Sequence, residues 1–286
     1  MSLILVQILN GLQYGLLLFL AASGLTLVFG ILGVINLAHG SFYMLGAYAA
    51  LTLTARFGDI FVALAAGVPL AFLFGAAIEW LFIRHLYKRD HLQQVLVTFA
   101  LILMFDEAQQ TLWGNYPESI PTPSYLSSSI SLTSDLGYPV YRIALMTICV
   151  LLAIAMMFVI QRTRFGRLVR AAESNPEMVE ALGFDSRILF RIVFAAGVAM
   201  AAAAGILAAP VESAYPGIGD RVLITSFVVV VIGGIGSIRG AFLGSLLIGL
   251  VDAFGKVFVP KFASVLIYAL MAIVLVLRPS GLFGRQ

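Results

Sequence analysis

The stretch "LIYALMAIVLVL", Leu266–Leu277, decides the fold. It is apolar on every face and does not alternate, so it lacks the in–out pattern of a membrane β-barrel strand. Lipid offers backbone groups no hydrogen-bond partners, and the remaining way to satisfy them within one segment is a helix. Runs of the same character fill the chain. It has 286 residues, 61% of them hydrophobic and 11% charged, where a soluble domain carries about 25% charged residues. Mean hydropathy is +1.04. The chain reads as an all-α, polytopic membrane protein, with residues 1–286 forming one transmembrane domain.

Working outward from that run, spanning segments fall at roughly 4–30, 33–55, 60–83, 92–112, 140–160, 188–209, 222–236, 240–255 and 263–277. The run 222–236 is short and ends in Gly, as a re-entrant or broken helix would, so eight or nine spans are expected. The start of the chain lacks a basic stretch and a small-residue cleavage site, and no removable leader is expected.

The basic residues orient the bundle. Arg84, Lys88, Arg89, Arg162, Arg164, Arg167, Arg170, Arg187, Arg191, Arg239, Arg278 and Arg285 share one face, and Arg56, Arg142, Arg221, Lys256 and Lys261 the other. The positive-inside rule places the first set in the cytoplasm. The N-terminus is then outside, the C-terminus inside, and the Pro-rich loop Gly114–Val140 outside. The net charge of +3 is this topological bias rather than a nucleic-acid footprint. The lone Cys149 excludes an internal disulfide frame, and no cofactor or metal motif is present.

One segment breaks the pattern. "QRTRFGRLVRAAESNPEMVEALGFDSR", Gln161–Arg187, holds five Arg, three Glu and one Asp between two apolar runs. Asn175 suits a helix N-cap, Pro176 the first helical position, Glu177 the first turn and Gly183 a left-handed stop. Upstream, Arg167 and Arg170 are spaced to share a helix face. Two capped helices make a stiff surface, whereas a tether between spans needs only a few residues. A docking surface is expected, and any ATP hydrolysis must lie on another polypeptide, because the chain has no phosphate-binding G-x-x-x-x-G-K-[ST] loop.

Two Gly-rich blocks interrupt the apolar runs: "GVINLAHGSFYMLG", Gly33–Gly46, and "GGIGSIRG", Gly233–Gly240. Asn36, His39, Gly40, Ser41, Gly233, Gly236 and Ser237 are the candidates for a translocation pathway. Asn36 and His39 either meet water and substrate or hydrogen-bond neighbouring helices. Gly33, Ile35, Gly40 and Phe42 recur as Gly233, Ile235, Gly240 and Phe242, a displacement of 200, which suggests parallel internal copies. Four acids fall in apolar runs. Glu79 is within reach of Arg84 or His85, Asp252 is four residues from Lys256, and the adjacent Asp106 and Glu107 point apart.

The stretches Gly24–Tyr48, Thr163–Arg187, Gly233–Gly249 and "LRPSGLFGR", Leu277–Arg285, resemble ABC-importer permeases, above all the LivH-type permeases of branched-chain amino-acid uptake. The resemblance implies a non-enzymatic transport subunit of the cell (inner) membrane that pairs with a homologous second permease. It further implies two cytoplasmic ABC ATPase subunits and a periplasmic or lipid-anchored substrate-binding protein. The segment 161–187 would then be the coupling loop, with Arg167, Arg170, Glu173, Glu177, Glu180, Ala181 and Gly183 its contact residues. "EALG", Glu180–Gly183, is similar to the EAA–Gly element of importer permeases. The alternatives are a permease for urea or short amides, and an ion-coupled carrier acting alone.

Overall fold

The structure, a computed structural model, describes residues 2–133 and 136–284. Arg285 and the side chain of Glu173 lie outside the described residues. The helices are α1 (Ser2–Leu32), α2 (His39–Phe57), α3 (Ile60–Leu81), α4 (His91–Trp113), α5 (Val140–Arg162), α6 (Arg164–Ser174), α7 (Pro176–Ala181), α8 (Ser186–Glu212), α9 (Ile218–Gly233), α10 (Ile238–Phe258) and α11 (Ala263–Leu277). The Pro-rich loop between α4 and α5 carries a small antiparallel hairpin, β1 (Ser129–Thr133) and β2 (Leu136–Pro139).

Among the described residues, seven helical segments are long and apolar enough to cross a membrane: α1, α3, α4, α5, α8, α10, and α11 taken together with the 3-10 turn Pro260–Phe262 that leads into it, 18 residues in all. The expected eight or nine is therefore too high, and α2 and α9 account for the difference. With 16 residues α9 reaches only about 24 Å at 1.5 Å per residue, short of about 30 Å of hydrocarbon. With 19 residues α2 is longer, but His39, Ser41, Tyr43, Thr52, Thr54 and Arg56 make it too polar.

The segment read as one span over 33–55 is broken. After α1 ends at Leu32, residues 33–38 run without helical structure and α2 starts at His39. The His39 Nε2 lies 2.9 Å from the carbonyl oxygen of Ala21. That carbonyl sits eleven residues before the end of α1, so the chain has doubled back into the bundle. A non-helical backbone there must find partners in neighbouring helices, and α4 supplies them. Gln94 accepts from the Ile35 N–H at 3.2 Å, and the Thr98 hydroxyl reaches the Ile35 carbonyl at 3.4 Å.

The two most enclosed helices, α1 and α8, run antiparallel and cross at paired glycines. A Cβ on Gly197 would come within 3.0 Å of the Gly24 carbonyl oxygen, and Gly24 abuts Gly197 in return. The starts of α2 and α9 meet in the same reciprocal way, a Cβ on Gly219 falling 2.9 Å from the Gly40 carbonyl oxygen. Around this centre α10 packs along α1 as α3 packs along α8. The unit α1–α2–α3 is thus mirrored by α8–α9–α10 in the opposite direction, an inverted repeat. This corrects the parallel copies expected from the Gly-rich blocks. Residues 33–42 cover the junction into α2 from α1, whereas 233–242 cover the junction into α10 from α9, so the blocks are not equivalent. The counterpart of 33–38 is the link 213–217.

Candidate functional site

The helix ends sort into two faces of the bundle. One gathers the end of α1, the turn after α3, α7 and the start of α8 around a cavity of about 1100 Å³, bordered by Arg84, Lys88, Arg89, Glu177 and Arg187. This is the basic face. On it also opens a cavity of about 600 Å³ lined by Gly30, Ile160, Arg170, Gly236, Ser237 and Arg239. The opposite face holds the starts of α1 and α5 and the ends of α8 and α10.

On the basic face the two expected capped helices are present and form an elbow leading into α8, and each of the three helices has a side-chain cap. Thr163 caps α6 by accepting from the Gly166 N–H at 3.2 Å. Asn175 caps α7 through the Met178 N–H at 2.9 Å, and Asp185 caps α8 through the Arg187 N–H at 2.8 Å. Gly183, at φ +87°, takes the left-handed conformation that lets the Phe184 N–H return to the Val179 carbonyl at 3.2 Å. Val169, Ala172 and Val179 are buried and seat the elbow on the bundle.

The nominated charges divide. Arg167 is exposed, while Arg170 turns inward and donates to the Ile160 carbonyl at the end of α5, a favourable place for a cation. Although three apart, the two do not present one face. Glu180 accepts from the Ser186 hydroxyl and so ties α7 to α8, while Glu177, Ala181 and Gly183 are exposed. Sequence reasoning missed the apolar tip, where Met178 is 58%, Leu182 70% and Phe184 48% exposed. Three bulky apolar side chains within seven residues of an otherwise charged, non-spanning segment were the available signal.

The pathway candidates also divide. Asn36, His39 and Ser41 are buried, as is Gly40 against Gly219, all within the contact of α1, α2 and α9. Among the described residues, neither polar atom of the Asn36 amide has a partner, nor has the His39 Nδ1. Gly233 is buried against Gly240. Gly236 and Ser237 border the cavity of about 600 Å³, and Ser237 is engaged as the N-cap of α10, accepting from the Gly240 N–H at 3.1 Å.

The acids resolve into distinct roles. Glu79 is fully buried, but its partners are neither Arg84 nor His85. Arg191 Nε donates to it at 2.8 Å and the Tyr87 hydroxyl at 2.7 Å, which clamps the start of α8 to the end of α3. Arg84 instead stacks over Trp80. Asp252 pairs with Lys256 at 2.5 Å, as expected. Asp106 is half-buried and Glu107 exposed on α4, each without an ion pair among the described residues.

Comparison with known proteins fits this architecture. A family described as the permease component of branched-chain amino acid transport systems matches residues 7–275. The chain belongs to that family. It is similar to the high-affinity branched-chain amino acid transport system permease protein BraD of Pseudomonas aeruginosa, at 33% identity over 98% of this chain and 95% of that protein. The Escherichia coli permease LivH of the same kind of system is 28% identical over 98% of this chain and 95% of its own length. The E. coli permease LivM is 26% identical over 91% of this chain and 66% of its own length. No solved structure matches the chain. It is a multi-pass membrane permease, one component of a transport system.

Proposed function

We propose that this chain is the passive transmembrane subunit of an ATP-driven importer that moves branched-chain amino acids into the cytoplasm. It acts as one permease domain, with its N-terminus outside and its C-terminus and basic face in the cytoplasm. A homologous second permease completes the channel, two ABC ATPases bind the basic face, and a substrate-binding protein delivers cargo at the other. In E. coli, LivH and LivM are two different permeases that both resemble this chain, which favours a mixed pair.

The observation that carries the proposal is the elbow at residues 163–185. Outside the membrane-spanning helices, exposed Met178, Leu182 and Phe184 would be an aggregation liability unless a partner covers them. The elbow also does not swing freely. Arg170 binds it to α5 and Glu180 to α8, and α8 is clamped to α3 through Arg191 and Glu79. A push on the tip therefore reaches α8, the helix that crosses α1 at the centre of the inverted repeat. Nucleotide-driven movement of a bound ATPase would tilt the two halves about the glycine contacts and expose the cargo route alternately to each side.

The test is uptake of labelled leucine by the co-expressed system after Leu182→Asp. The expected result is loss of ATPase co-purification and of uptake, with the permease still inserted and folded. Leucine accumulation by the purified chain alone, driven by an ion gradient without ATPase, contradicts the proposal.

A further inference from the structure

At the face opposite the elbow, a cavity of about 280 Å³ opens between the starts of α1 and α5 and the ends of α8 and α10. At about 30 Å³ per water it has room for a molecule the size of a small amino acid. Its charges balance, with Arg142 and Lys256 against Glu212 and Asp252. Lys256 and Asp252 satisfy each other. Arg142 spends one N–H on the neutral Asn10 amide at 2.7 Å, leaving further guanidinium donors. Glu212 has no ion-pair partner among the described residues: the Tyr43 hydroxyl stands within reach of it, Arg221 and Lys256 attract it from a distance, and Asp252 repels it. The cavity thus offers one under-used cation and one under-used anion, with Val211 and Ala253 as apolar wall.

We infer that this cavity is a receiving station for the zwitterionic head of an α-amino acid, with Arg142 taking the carboxylate and Glu212 the ammonium. A site with one free charge of each sign favours a zwitterion over an anion or a cation, and rejects an uncharged amide. The station rests on the amino-acid reading above and extends it to recognition by the permease itself. Its place at the outward face under that reading suits cargo released there by a delivery protein.

The test measures binding to the membrane complex, purified with its second permease and ATPase subunits in nanodiscs and free of the delivery protein, which would bind leucine itself. The probes are L-leucine, isocaproate, which lacks the ammonium, and isoamylamine, which lacks the carboxylate. Glu212→Gln should weaken leucine and isoamylamine about tenfold or more, the scale of one charge-assisted hydrogen bond, and spare isocaproate. Arg142→Gln should weaken leucine and isocaproate and spare isoamylamine. Glu212→Asp should recover part of the leucine affinity. A folding fault lowers all three ligands together, so equal losses overturn the assignment, as does unchanged leucine binding. If the unsubstituted transporter imports leucine and either overturning result appears, the station alone falls. If it imports no branched-chain amino acid, both readings fall.

Discussion

The segment 33–38 and the elbow at 163–185 both interrupt the run of long helices, and they satisfy their backbones in opposite ways. The inner break borrows its partners from α4, through Gln94 and Thr98, about sixty positions along the chain. The outer elbow supplies its own, with Thr163, Asn175 and Asp185 each bonding an N–H two or three residues on. Water explains the difference. At the surface an uncapped helix end costs little, so local caps suffice and can be exchanged. Inside the bundle an orphaned N–H costs its full desolvation, so the break exists only where another helix has been shaped to receive it. The inner region should therefore be brittle and the outer one tolerant in stability but sensitive in function.

The sharpest way to break this contrast is at the glycine contact that lets α2 begin inside. Gly40→Val forces side-chain atoms into the Gly219 backbone. It should cost about 3 kcal/mol or more through overpacking, read as loss of folded protein or a large fall in detergent melting temperature. Next is Gln94→Ala, which strips the Ile35 N–H of its acceptor and the Leu86 and Arg89 carbonyls of a donor. A loss of about 2 kcal/mol is expected, with faster amide exchange confined to residues 33–38 and their neighbours. Asn175→Ala removes a cap worth about 1 kcal/mol to its helix. It should leave bundle melting nearly unchanged while lowering ATP-driven uptake. Equal melting losses from Gln94→Ala and Asn175→Ala would erase the distinction between the regions.

The smallest effect concerns the link between the α4–α5 loop and the start of α3. The Tyr125 hydroxyl donates to Asp59 and holds that carboxyl below the usual range, while Tyr125 is itself pushed up to about 12. Because the folded carboxyl has the lowered value, the contact stands fully above the ordinary carboxylate pKa of about 3.9. It is lost as pH falls through the lowered value. Acid titration should loosen the loop in amide exchange below that pH, and Tyr125→Phe should abolish the step.

The same physics explains what could be read in advance. The long helices were legible because hydropathy is local, and α7 because Asn175, Pro176 and Gly183 mark its two ends within nine residues. The Asp252–Lys256 pair was legible as a helical neighbour contact. The break at 33–38 was not, since its acceptors lie on α4 and nothing within "GVINLA" announces them. The inverted repeat was hidden for a related reason. It is carried by backbone-to-backbone approach at Gly24, Gly197, Gly40 and Gly219, which a direct alignment of one strand of text with another does not reveal. At the elbow, attention to charge picked out Arg170 and Glu180, which turn out to brace the segment, and passed over Met178, Leu182 and Phe184 beside them.

Cross-linking from the elbow tip tests the central claim most directly. Cys149 is buried, so a Leu182→Cys chain carries one accessible thiol among the described residues, and a short thiol-reactive cross-linker can be applied to the complete transporter in membranes. The account predicts an adduct with the ATPase subunit whose yield changes between ATP-bound and nucleotide-free states, and uptake that stops once the cross-link forms. An ATPase that never joins residue 182 while leucine import continues would contradict it.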